Sequence, residues 1–377
     1  MNSNALQFRK DGTFHILQVS DPQDVAHARK AMLRMLERAY DTLHPDLVLF
    51  TGDNTLGNHL HDIGFLRVKT AHDPQKTLAQ MQRALAHILR PVEQRGIPFA
   101  MIYGNHDDMN DVSKAEQFPL YRAYPHCLPM NDADPTVDCD TYSIPLRTAD
   151  GRTAWNLYML DSAWNDAQGQ HCAIKAQTVR WYKETSARLQ EENGGVCVPS
   201  LLFLHVPLPQ TKGLYAPCSP EYPGAVRDGD GFFCLDAAKA QGVLGESISA
   251  CEDAFGLFDA LKTCGDVRAV ISGHDHVNCF DGVTDGMRFI QSGAASFRCY
   301  GNRIRGVRLF VLHEEDPFRF ETKYLPYDLL CGEGFSAQLR YFWDADDKIA
   351  EKYTALGVLA LSAAAAGIAL HRKRKAD

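Results

Sequence analysis

Short apolar runs and helical stripes alternate along most of this 377-residue chain. Residues 14–20 (Phe-His-Ile-Leu-Gln-Val-Ser) read as a buried strand. Residues 25–43 follow, with Ala28, Ala31, Met32, Met35, Leu36 and Ala39 on one helical face. Pro45 and Asp46 break that pattern before a strand at 47–50. A second amphipathic helix is predicted over 77–95, ended by Gly96, and then a strand over 99–103. Further strands are expected at 155–160, 200–204 and 267–271, with a third helix at 178–190. Residues 310–327 look like the closing strands of a sheet. Strand–helix alternation at this spacing predicts an α/β fold with a substantially parallel core. The stretch 211–245 is rich in Gly and Pro and has little period, so it is expected to be a long surface insertion.

Five of these strands end in residues able to hold a metal. The first runs into Asp21 and Gln23, the second into Gly52-Asp53-Asn54, and the third into Gly104-Asn105-His106-Asp107. Later strands end in His205 and in Gly273-His274-Asp275-His276. Ligands bind at the carboxyl ends of strands in open α/β sheets, so these loops are expected to converge. Glycines 52, 104 and 273 permit tight turns and close backbone approach there. Carboxylates, an amide oxygen and imidazoles form a mixed O/N donor set suited to two divalent or mixed-valence ions. Gly-Asp after a strand is common, and a lone histidine is usually a satisfied core residue. Two imidazoles on one turn seldom occur for packing reasons, which makes Gly-His-Asp-His the most specific signal.

Composition narrows the classes. The formal charge is −8, from 39 basic and 47 acidic residues, and 45% of positions are hydrophobic. That profile excludes low-complexity and multi-span chains, and it leaves no cationic excess for nucleic-acid binding. The 11 cysteines are dispersed, without a C-x-x-C pair, and none falls in the metal-capable motifs. Reduced thiols in a cytoplasmic setting are expected, since residues 1–11 also lack the apolar stretch of an export signal.

Asp21, Gly52-Asp53, Gly104-Asn105-His106-Asp107, His205 and Gly273-His274-Asp275-His276 together resemble the calcineurin-like metallophosphoesterase signature. Within that superfamily the chain is most similar to the small purple-acid-phosphatase-like branch. The resemblance spans residues 14–312 and implies a four-layer αββα sandwich. It implies one ion on Asp21, Asp53 and His276, and a second on Asp53, Asn105, His205 and His274, with Asp53 bridging. A metal-bridging hydroxide is the implied nucleophile for in-line attack on a phosphate ester. His106 is implied to stabilise phosphoryl charge or protonate the leaving alcohol, with Asp107 orienting its ring. Two departures stand out. Gln23 occupies a position usually held by histidine, which favours Mn²⁺ or Mg²⁺ over tightly held iron, with Fe and Zn as the other options. Leu56 stands where purple acid phosphatases place a tyrosinate, so no tyrosinate-to-iron colour is expected. Asn54, His59 and His61 are candidate substrate-binding residues, although a solvated loop is the plainer account of the two histidines. Arg298, Arg303, Arg305 and Arg308 read as a charged surface hairpin rather than a phosphate site.

The last segment stands apart. Residues 354–370 are uncharged and end in His371-Arg-Lys-Arg-Lys375. A span of about 17 residues is just sufficient to cross a bilayer, so 346–377 reads as a single-pass membrane anchor on a phosphoesterase domain of 1–345. A docked core helix is the competing reading. The side of the membrane is left open by the basic flank, with the free thiols favouring a cytoplasmic catalytic domain. Three functions follow: a phosphomonoesterase or phosphodiesterase using two metals, a phosphodiesterase or pyrophosphatase acting on nucleotides or lipid headgroups, or a membrane-anchored, non-catalytic metal-binding protein.

Overall fold

Two β-sheets packed face to face organise the chain in a computed structural model that describes residues 6–57, 60, 73–130, 134–166, 171–316 and 318–376. The strands are β1 (Thr13–Val19), β2 (Leu47–Thr51), β3 (Phe99–Ile102), β4 (Tyr142–Arg147), β5 (Thr153–Met159), β6 (Ser200–Phe203), β7 (Tyr215–Pro217) and β8 (Val226–Asp228). They continue with β9 (Gly231–Leu235), β10 (Ala240–Val243), β11 (Val267–Ser272), β12 (Cys279–Thr284), β13 (Met287–Gln291), β14 (Gly306–His313) and β15 (Phe320–Pro326). The helices are α1 (Lys30–Leu43), α2 (Pro74–Glu93), α3 (Asn105–Asp108), α4 (Lys114–Arg122), α5 (Ala176–Glu192), α6 (Leu257–Cys264), α7 (Tyr327–Cys331), α8 (Phe335–Asp344) and α9 (Ile349–Ala376).

One sheet has the order β15-β14-β1-β2-β3 and the other β10-β12-β13-β11-β6-β5-β4. Strands β1, β2 and β3 are mutually parallel, as are β5, β6, β11 and β13, and antiparallel strands flank both sets. Side chains on a strand alternate between faces, and that alternation builds the layers. Leu201, Phe203, Ala269 and Ile271 join the core between the sheets. Leu202, Leu204 and Val270 point the other way, onto Val179 and Tyr182 of α5 and Leu257 and Leu261 of α6. Met32, Met35 and Leu36 of α1 and Leu85, Ile88 and Leu89 of α2 cover the first sheet. Helix, sheet, sheet, helix is the four-layer arrangement expected.

Four local expectations change. Helix α1 starts at Lys30 rather than at residue 25, because Asp24 folds the preceding loop by accepting the backbone N–H groups of Val25 (2.8 Å) and Arg29 (2.7 Å). The 211–245 insertion contains four strands: β7, β9 and β8 make a small antiparallel sheet, and β10 extends the larger one. The arginine run is no surface hairpin. Arg298, Arg305 and Arg308 are buried, and of the four only Arg303 is exposed. Arg298 pairs with Asp24 at 2.5 Å, and Arg305 donates to the carbonyls of Ser296 (2.7 Å) and Cys299 (2.9 Å). Arg308 donates to Ser292 Oγ at 2.8 Å between the sheets.

The fourth change concerns the C-terminus. No helix among the described residues is long and apolar enough to cross a membrane. That overturns the single-pass anchor through 354–370, the cell-membrane localisation and the question of sidedness that came with it. Alanine, which buries little area per residue, supplies seven of the 17 positions, with Thr354, Gly357, Ser362 and Gly367 interspersed. The segment just before it belongs to the packed structure. Asp344 accepts the Ala31 N–H at 2.6 Å, capping α1, which has no side-chain cap of its own. Arg29 pairs with Asp346 at 2.5 Å, and Arg305 with Asp347 at 2.6 Å.

A buried ion pair fixes the start of α4. Lys114 Nζ lies 2.7 Å from Asp161 Oδ2, donates to the Ala163 carbonyl at 3.1 Å and sits over the Trp164 ring. Burial alone lowers a lysine, yet Asp161 and Asp140 outweigh it and hold Lys114 above its ordinary value. Its stabilisation is therefore complete below about pH 10.4 and is lost only as pH rises through the higher folded value. Lys114→Met leaves the Asp161 carboxylate buried and unpaired, so denaturant unfolding at neutral pH should show a loss of about 3–5 kcal/mol. A loss below about 1 kcal/mol, the range of an exposed pair, contradicts this account.

Candidate metal centre

The carboxyl ends of β1, β2, β3, β6 and β11 meet at one edge of the two sheets. Asp21 and Gln23 follow β1, Asp53 follows β2, Asn105 opens α3 after β3, His205 follows β6, and His274 and His276 follow β11. Carboxylate oxygens of Asp21 and Asp53 and a ring nitrogen of His276 all lie within 4.8 Å of one another. Asp21, Gln23, Asp53, Asn105, His205 and His276 are buried, whereas His274 is half-buried.

Holding these groups together strains the backbone. Asp21 (φ 49°), Gln23 (φ 22°), Asp53 (φ 49°) and His274 (φ 74°) all adopt left-handed conformations that cost non-glycine residues about 1–3 kcal/mol each. Close approach is equally demanding. A Cβ on Gly52 would sit 2.3 Å from His205 Nδ1, and one on Gly104 would sit 2.1 Å from the Asp53 N and Oδ1 atoms.

The hydrogen bonds fix which atoms face inward. The Thr51 carbonyl only accepts, so His205 Nδ1 donates to it at 2.9 Å. His205 Nε2 then faces three oxygens: Asn105 Oδ1 at 3.1 Å, Asp53 Oδ1 at 3.4 Å and Asp21 Oδ1 at 3.9 Å. The His276 ring repeats the device, with Nδ1 held by the Tyr300 carbonyl at 3.1 Å and Nε2 at 3.6 Å from Asp21 Oδ1. Asp21 Oδ1 and Gln23 Oε1 are buried and have no hydrogen-bond partner. Those unpartnered oxygens, beside His205 Nε2, are positioned to meet a cation. The donor set therefore fits bound divalent ions.

Electrostatics agree. Burial opposes charge on His205, but Asp53 and Asp21 outweigh it and push the ring up to about 10. His274 moves the other way, well below an ordinary histidine, through burial and the neighbouring His205 and His171 rings. Burial raises Asp21, whereas Asp53 is held low by His205 and His106 despite its own burial.

The remaining expected site residues divide. The His106 backbone N–H donates to Asp53 Oδ1 at 2.8 Å, and its ring is partly exposed with Nδ1 unpartnered. Asp107 does not orient that ring. Its carboxylate accepts from the backbone N–H groups of Gly104, Asn54 and Thr55 and from the Thr55 hydroxyl, tying two metal loops together. Burial and the Asp53 charge lift it to about 6. Asn54 is buried and donates to the Ile102 carbonyl at 2.8 Å, which places it inside this junction rather than on a substrate surface. His59 and His61 lie outside the described residues. Two residues at the centre carried no sequence signal. The His171 ring packs edge-on against His274 at 4.6 Å, and Tyr300 stacks on His276 at 4.3 Å with its hydroxyl donating to Glu246.

The profile of the calcineurin-like phosphoesterases matches residues 14–278, and the chain belongs to that family. It is a hydrolase acting on phosphate esters, with divalent metal ions as its cofactors. The chain is 26% identical over 334 residues to "Probable inactive purple acid phosphatase 28" of Arabidopsis thaliana, covering 78% of this chain and 74% of that protein. It is 23% identical over 299 residues to "Phosphatase DCR2" of Saccharomyces cerevisiae, covering 72% and 46%. A solved dimetal phosphatase from Danio rerio is 13% identical, with a TM-score of 0.48 over 83% of this chain and 96% of that one.

In the metal-free protein His205 holds a proton below about pH 10, and a bound cation must displace it. Metal binding near neutrality should release about one proton, read by calorimetry in buffers of different ionisation enthalpy. Affinity should weaken as pH falls; binding independent of pH would contradict the assignment. Gly52→Ala, which drives a methyl into the His205 ring, should weaken metal affinity at least tenfold by the same measurement.

Proposed function

We propose that this protein hydrolyses phosphate esters at a two-ion centre. Asp21, Asp53 and His276 would hold one ion, and Asp53, Asn105, His205 and His274 the other. The observation that carries this reading is His205 Nε2 facing three acceptor oxygens while its Nδ1 is committed to Thr51. The ions, when bound, supply Lewis-acid neutralisation of phosphoryl charge and lower the pKa of a coordinated water.

The chain's own groups do the rest. Asp53 is fixed from two sides, by the His106 backbone N–H on Oδ1 and the Gln23 amide on Oδ2 at 3.3 Å. The partly exposed His106 ring, its Nδ1 without a hydrogen-bond partner, is the group that protonates the leaving alcohol. Asp107 acts at one remove, by locking Asn54, Thr55 and Gly104 so that Asp53 and Asn105 keep their separation. Gln23 offers a neutral amide oxygen where an imidazole is usual in the family. We read this as a preference for Mn²⁺ or Mg²⁺ over iron at the first position.

The word "inactive" in the names of relatives keeps a non-catalytic metal-binding protein in view. Asp53, Asn105, His106, His205, His274 and His276 are all present and converge, which favours catalysis. The lipid-headgroup reading rested on a membrane anchor, and no helix among the described residues is long and apolar enough to cross a membrane.

Manganese-loaded protein should hydrolyse p-nitrophenyl phosphate, and Asp53→Asn should reduce that rate by at least about a hundredfold with loss of bound metal. Hydrolysis that survives in Asp53→Asn defeats the two-ion assignment. Iron retained stoichiometrically through dialysis against a mild chelator defeats the metal preference, which Gln23→His should shift toward iron.

A further inference from the structure

Beside the second-ion ligands, Asn165 and His171 pair in an isolated antiparallel bridge. Next to it the Cys172 N–H donates to the Trp164 carbonyl at 2.8 Å. The His171 ring packs against His274, and Asn165 lies against the start of α3. Asn165 reads the orientation of everything around it. Its side-chain NH₂ faces two acceptors, the Asn105 carbonyl at 3.3 Å and Asp108 Oδ2 at 3.5 Å. Its Oδ1 is therefore the atom that meets His171 Nδ1 at 3.2 Å, and Oδ1 only accepts. The proton of the His171 ring is thus on Nδ1, and Nε2 is left with a lone pair.

We propose that His171 is a specificity-determining residue that accepts a hydrogen bond from a hydroxyl group of the substrate's alcohol, selecting polyol phosphates over simple alkyl or aryl phosphates. This rests on the phosphoesterase reading given above. An ester bound at the ligands His205 and His274 brings its alcohol beside His171, the imidazole packed against His274. A phosphoryl oxygen is a poor partner for Nε2, since both are acceptors; a hydroxyl is a good one.

A second feature points the same way. Next to Asn165, whose neighbour Trp164 and partner Asp108 line it, lies a cavity of about 420 Å³ that also takes in Ser113, Lys114 and Asp138. Its cations are already committed: Lys114 to Asp161, and the adjoining Lys175 to Asp138 at 2.9 Å. Asp138 Oδ2, which has no hydrogen-bond partner, presents an acceptor to an incoming hydroxyl.

The test compares glycerol 1-phosphate with propyl phosphate, which lacks the two free hydroxyls, on the metal-loaded full chain. Wild-type kcat/KM should favour glycerol 1-phosphate by about tenfold, the worth of one well-placed hydrogen bond. The ratio should fall to near one in His171→Ala and recover in part in His171→Gln, which restores an acceptor. Asn165→Leu, which frees the ring from its fixed tautomer, should also lower the ratio, and it serves if His171→Ala fails to fold. A wild-type ratio near one, or an unchanged ratio in both variants, overturns the proposal. Should no ester be hydrolysed, the phosphoesterase reading fails separately. Calorimetric affinities for the same two compounds then carry the test, with a tenfold preference in wild type that His171→Ala abolishes.

Discussion

Two carboxylates, Asp21 and Asp53, are removed almost wholly from water within a few ångströms of each other, and much of the site's construction answers that constraint. Like charges cannot both be buried without compensation; the cost is several kcal/mol per ion even after relaxation. The compensation comes from His205 and His276, aimed by backbone carbonyls, and from the cations that the donor set fits. The same two acids drive the ring of His205 up, whereas burial and the neighbouring His205 and His171 rings drive that of His274 down. One imidazole balances the acids, and the other keeps a lone pair.

Bringing these groups together requires work from the surrounding structure. Four of the candidate ligands sit in left-handed backbone conformations, and such strain persists only where neighbouring contacts over-determine it. The contacts are visible. Asp107 ties the loop after β2 to the loop after β3, and Asp24 with Arg298 braces the loop after β1. Beneath the centre, Gln18, Thr51, Ser292 and Arg308 form a hydrogen-bonded chain between the two sheets. Buried polar networks of this kind are stabilising only when satisfied throughout, and here they keep two parallel strand sets in a fixed relation.

The C-terminal residues take part in that bracing. Asp344 caps α1, and Asp346 and Asp347 pair with Arg29 and Arg305, the latter buried beneath the loop that follows β13. The residues just before α9 thus support the helix layer over the first sheet. This is also why the buried arginines resemble surface residues until their partners are seen. Asp24 lies 274 positions from Arg298, and no local pattern connects them.

The sequence by itself determined the elements and the ligand types. Apolar runs of period two and stripes of period 3.6 are local consequences of backbone geometry, and they located β1, β2, β3, β6, β11 and the three main helices nearly in place. The strand-end motifs also offered Asp21, Asp53, Asn105, His205, His274 and His276 as candidate ligands, because divalent ions take oxygen and imidazole donors whatever the fold. Tertiary structure decided what depends on distance between remote residues. It turned Asp107 from an expected partner of His106 into a clamp between loops, buried three arginines and folded the 211–245 insertion into strands. It also brought His171 and Tyr300 to the centre. Pairing, burial and tautomer are set by neighbours far away in the chain, and a linear pattern carries no record of them.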